Sequence, residues 1–143
     1  MSEKSINFLK LFQEKKYSLI VSIIENKLSS EKKTSDLLNL SGVCRMLLRK
    51  KSSDPLKPAI NDFREAYLKE TDGNKLIHPI KNLINSSIIF FDEEHSRNEK
   101  LMNKNFFDEI YKIYQQNKNL FEKNLELIKS ILKVFKRTLD IKI

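Results

Sequence analysis

Glycine and proline are scarce in this 143-residue chain, at two and three, and it holds one cysteine and no tryptophan. So few turn-formers exclude an all-β fold built on frequent tight turns. Cys44 alone cannot close an internal disulfide, and the apolar helical pattern around it reads as a small buried hydrophobe rather than a nucleophile. A reducing compartment fits. Long apolar runs are missing too: Leu19 to Ile24 and Ile88 to Phe91 fall well short of the roughly 20 residues needed to span a bilayer. The opening MSEKSINFLKLFQEKK lacks the basic start, apolar segment and small-residue cleavage site of a signal peptide. The expectation is a soluble, cytoplasmic chain with no membrane association.

What is present is helix-forming. With 40% hydrophobic residues there is enough apolar material for one continuous core. The net charge of +8 raises the question of polyanion binding. Its distribution argues against it, because residues 1–70 carry 14 basic and 9 acidic side chains and residues 71–143 carry 13 and 10, with no basic arm.

Apolar spacing predicts seven helices. The first carries Ile6, Phe8, Leu9 and Phe12, and after a Glu14-Lys15-Lys16 corner the second carries Tyr17, Ile20, Ile23, Ile24 and Leu28. Asp36 is the expected N-cap of a third helix with Leu37, Leu38, Leu40, Val43, Met46 and Leu47, ending near Lys51. Ser52 to Pro55 reads as a loop; Pro55 and Pro58 suit the first turn of a fourth helix with Ala59, Ile60, Phe63, Ala66 and Tyr67 inward, stopped by Thr71-Asp72-Gly73. The fifth, about Asn74 to Phe91, presents Leu76, Ile77, Ile80, Leu83, Ile84 and Ile88 on one side and polar residues on the other. A sixth carries Leu101, Phe106, Phe107, Ile110, Ile113 and Tyr114. A seventh carries Leu120, Leu125, Ile128, Ile131, Leu132 and Phe135.

Within residues 37 to 67, Leu38 and Gly42 supply a large then a small residue on one helix, and Ala59, Phe63 and Ala66 a small, aromatic, small series on the next. That pattern resembles the tetratricopeptide repeat, a two-helix unit of about 34 residues. Tyr17, Ile20 and Ile24 match the second helix of a preceding unit. Arg45 and Lys81 depart from the family, standing where it places an apolar and a small residue. The resemblance implies an all-α, TPR-like α-solenoid in units 1–34, 35–73, 74–116 and an incomplete 117–143. Its implied function is a non-catalytic protein-protein interaction module that holds a peptide in a concave groove lined by the first helix of each hairpin. Asn39, Lys75, His78, Asn82 and Asn85 are the implied partner-binding residues.

Two rival expectations stand beside this. Similar repeats precede transferase domains, and the chain stops where a partner for the seventh helix is due, so a further C-terminal domain and a role as accessory segment of a larger enzyme are one. A basic RNA-binding array is the other. The clusters Arg45, Arg49, Lys50, Lys51 and Lys129, Lys133, Lys136, Arg137 are its candidates, although they read as solvated faces without interleaved aromatics. Asp92-Glu93-Glu94-His95 after an apolar run looks like a helicase-type metal strand, but no phosphate-cradling glycine loop accompanies it. His78, His95 and Cys44 have no metal-ligand spacing, and no nucleophile elbow or dinucleotide loop occurs. The expectation is no enzyme, no metal and no cofactor.

Overall fold

The computed structural model describes residues 6–50, 56–97 and 103–142. Among them are eight α-helices and no strand: α1 Phe8–Gln13, α2 Tyr17–Asn26, α3 Ser35–Leu48, α4 Lys57–Lys69, α5 Ile77–Arg97, α6 Asn103–Gln116, α7 Lys118–Glu122 and α8 Leu125–Lys142. The expected loop at Ser52 to Pro55 and the expected core residue Leu101 lie outside the described residues.

The six-residue α1 is too short to persist alone. Asn7 caps it, its Oδ1 accepting from the Lys10 N–H at 3.0 Å, and Phe8, Leu11 and Phe12 lean on α2. Leu9, expected inward, is 68% exposed, because α1 turns Phe8, Leu11 and Phe12 toward α2 instead. The chain then reverses at Lys15, whose φ of 60° is left-handed and strained for a residue with a Cβ. On α2 the expected Ile20, Ile23 and Ile24 are buried, as is Leu28 beyond its end.

Thr34, not Asp36, caps α3: its Oγ1 accepts from the Leu37 N–H at 3.3 Å, and Asp36 falls inside the first turn, where a carboxylate favours the helix dipole. Gly42 faces Phe63 of α4 so closely that a methyl group at position 42 would collide with the ring. The large, small, aromatic pattern is therefore a packing rule made visible. Pro58 sits in the first turn of α4, where its missing N–H is harmless. Ala59, Ile60, Phe63 and Ala66 are buried as expected.

At 21 residues α5 is the central helix, packed against α3, α4, α6 and α8. Its second side is not simply polar, since Ser86, Ser87 and Phe91 are buried along with Ile80, Leu83, Ile84 and Ile88. The expected seventh helix is two. The chain breaks at Lys123, and Asn124 caps α8 with Oδ1 accepting from the Leu127 N–H at 3.2 Å. This break rotates the buried face: Phe121, Leu127, Ser130, Ile131 and Val134 point inward, while Leu125 and Leu132, both expected in the core, are 64% and 56% exposed.

Side-chain pairs fix how the helices lie. Asn39 meets Asn82 and Arg49 meets Glu93, at separations of 43 and 44 residues. Asn85 meets Ser130 and Asp92 meets Arg137, both at 45. A constant difference in residue number means that both partners advance along their helices together; antiparallel neighbours would hold the sum constant instead. So α3, α5 and α8 run side by side in one direction. Arg64 to Glu109, also 45 apart, places α4 beside α6.

Candidate functional site

The polar face shared by α3 and α5 is where the expected binding residues fall. Asn82 Nδ2 donates to Asn39 Oδ1 at 3.0 Å, so the two are brought together across neighbouring helices. This leaves an amide donor on Asn39 and a carbonyl oxygen on Asn82, the two functions that a peptide bond displays. Asn85 is engaged otherwise, accepting from the Ser130 hydroxyl of α8 at 3.2 Å, and one turn earlier on the same two helices Lys81 pairs with Glu126 at 3.6 Å. The ledge thus continues from α3 through α5 to α8.

His78 is exposed on the first turn of α5. Lys75, expected on the same helix face, lies in the turn before α5, because Asn74 to Leu76 form a turn in which Lys75 N–H bonds to the Asp72 carbonyl at 3.0 Å. It borders a shallow polar basin of about 620 Å³ with Lys33, Asp36, Lys69 and Glu70. Of the five residues, Asn39 and Asn82 are brought into contact, Asn85 is turned to α8, His78 lies one turn before Asn82 on α5, and Lys75 lies in the turn that precedes this helix.

Several arginines expected on solvated faces hold helices together. Arg45 Nε reaches Asp62 of α4 at 2.9 Å and its Nη2 reaches Glu25 of α2 at 3.0 Å, while the buried Ser41 hydroxyl donates to the same Asp62 oxygen at 2.7 Å. Burial disfavours the Arg45 charge, yet the two carboxylates outweigh it and its pKa ends above the ordinary value. Arg64 also lies above its ordinary value, through its hydrogen bonds to Glu109 at 2.6 and 3.0 Å. Arg49 grips Glu93 at 2.8 and 2.9 Å, and Arg137 grips Asp92 at 2.7 and 2.8 Å. Those carboxylates belong to the Asp92-Glu93-Glu94 run, which acts here as a fastening for α5.

Cys44 is fully buried on α3, and desolvation pushes its thiol up to about 11, which removes the thiolate that nucleophilic chemistry needs. Among the described residues no three His, Cys, Asp or Glu side chains gather as a metal site requires, and no helix is long and apolar enough to cross a membrane.

Residue-by-residue reading overlooked Ser130, Glu126 and the Arg64–Glu109 pair. Each is a polar residue that its own helix's periodicity assigns to solvent, and it is engaged only because a second helix lies 45 residues away along the chain. Comparison with family models, with curated proteins and with solved structures yields no match for the chain.

Proposed function

We propose that the chain is a non-catalytic helical-repeat module, a TPR-like solenoid in the packing of α3 on α4, that binds an extended peptide along the α3–α5–α8 ledge. The observation that carries this reading is the Asn39–Asn82 pair, with His78 one turn earlier on α5 and Lys75 in the turn before that helix. An open amide donor and acceptor answer the peptide backbone, and the two basic residues answer a carboxylate. Parallel α3, α5 and α8 support the solenoid arrangement, because stacked hairpins place their first helices side by side. The spacing of 43 to 45 is longer than the tetratricopeptide period of about 34, so the likeness lies in the α3–α4 hairpin rather than in repeat length.

RNA binding is less well supported: Arg45, Arg49, Arg64 and Arg137 already have carboxylate partners and would have to release them to meet phosphate. Panning a random peptide library on the purified chain tests the proposal. Enriched peptides should carry a carboxylate, and Lys75→Glu combined with His78→Glu should weaken them about tenfold, the loss of roughly 1.4 kcal/mol. Enrichment of nothing, or indifference to both substitutions, would reject the ledge. Affinity for single-stranded RNA that falls steeply with salt would replace the reading with the nucleic-acid one.

A further inference from the structure

A cleft of about 280 Å³, which shares no residue with the Asn39–Asn82 ledge, lies between α4, α5 and α6. At about 30 Å³ per water this is space for roughly nine waters, or one ring system with a short substituent. Phe90, Phe91 and Phe106 form most of its apolar wall with Ile60, and Phe91 stacks on Phe106 with centroids 4.7 Å apart. The wall is preformed and held in place from outside, since the Arg64–Glu109 ion pair closes one rim by tying α4 to α6.

Three polar groups on this cleft keep a hydrogen-bond donor that no group among the described residues accepts. Ser87 is 6% exposed, lines the cleft and, among the described residues, makes no hydrogen bond, unlike Ser86, whose hydroxyl donates to the Asn82 carbonyl at 2.7 Å. A buried hydroxyl without a partner is destabilising and calls for an explanation. Asn61 uses its oxygen on Arg64 at 2.7 Å, which leaves its NH2 open. The Lys57 ammonium lies 5.7 Å from the Phe90 ring centre and meets no carboxylate among the described residues. All three can donate. An apolar slot with a few convergent donors fits a flat apolar ligand that carries acceptors and negative charge.

We propose that this cleft binds a small planar aromatic acid, with its ring against Phe90 and Phe91, an acceptor on Ser87 and its carboxylate at Lys57 and Asn61. The site is independent of the peptide ledge, so either can fail without the other. Because the chain has no tryptophan, indole emission reports binding without background.

The test is a fluorescence titration of indole-3-acetate with the full chain, excited where tyrosine is silent. The expected result is a saturable blue shift, with indole binding about tenfold more weakly for want of the charge. Ser87→Ala and Lys57→Gln should each weaken indole-3-acetate several-fold, with the melting midpoint unchanged in Lys57→Gln and unchanged or raised in Ser87→Ala, which removes the unpartnered hydroxyl; Lys57→Gln, being at the rim, keeps the test meaningful if Ser87→Ala perturbs folding. Absence of saturation, or equal affinity for indole and indole-3-acetate, would overturn the proposal, as would binding that ignores both substitutions. Tighter binding of N-acetyltryptophan amide, which has no carboxylate, would overturn it in favour of an anchor for a peptide side chain.

Discussion

Two cores of different character share α3. The N-terminal one, built on Ile20, Val21, Ile24, Leu28 and Cys44, is held by contacts between helices adjacent in sequence. The C-terminal one extends from Leu56 to Val134, centres on α5, and joins helices about 45 residues apart by ion pairs and amide bonds. Local contacts form easily and open easily, whereas a core whose members are joined across the chain opens as a unit. The N-terminal helices are thus the region that should fray first, with α3 as the boundary.

The largest effect should come from cutting that boundary. Phe63→Ala removes the ring that seats on Gly42 and should lower unfolding free energy by about 3 to 5 kcal/mol in denaturant titration. A loss below about 1 kcal/mol would mean that the two cores do not depend on this contact.

Next comes pH. The Cys44 thiol is neutral in the fold up to about 11 but ionises near 9.0 when exposed, so the folded chain holds the extra proton between those values. Its contribution is fully present below pH 9 and is lost as pH rises toward 11, by about 1.4 kcal/mol per pH unit, some 2 to 3 kcal/mol in all. Comparing melts of the native chain and Cys44→Ala across that range isolates the effect, and identical slopes would contradict it.

Asp62→Ala leaves Arg45 and the buried Ser41 hydroxyl without their shared acceptor and should cost about 2 kcal/mol. Hydrogen exchange should show the loss of protection concentrated in α2 and α3; equal loss in α8 would erase the distinction between the cores. The smallest expected change is a gain. Lys15→Gly relieves the left-handed corner and should stabilise α1 on α2 by about 0.5 to 1 kcal/mol, visible as slower exchange at Phe12 and Tyr17.

Legibility in the sequence followed the same division. Ile20, Ile23 and Ile24, and Ala59, Phe63 and Ala66, were readable because each helix buries one stripe and ends where its periodicity ends. Where one helix meets several neighbours, a single stripe no longer describes it. Thus α5 buries Ser86, Ser87 and Phe91 on a side that polarity alone assigns to solvent. In α8 the error has a different source: Leu125 and Leu132 carry the strongest apolar signal, but the break at Lys123 resets the phase in favour of Leu127 and Val134. The candidate ledge was half legible. That Asn39 would lie near Asn82 could be inferred from hairpin stacking, whereas the attachment of Asn85 to Ser130 depends on where α8 begins, which a two-residue interruption decides.

The Gly42–Phe63 contact has a bearing on how this molecule tolerates change. A ring seated in a notch locks the sliding position of two helices from within, so the connection between Arg49 and Leu56 has no measuring to do. Doubling such a connection costs only about 0.6 kcal/mol of closure entropy. Residues inserted between α3 and α4 should therefore leave the two helices in register, because the notch sets their sliding position.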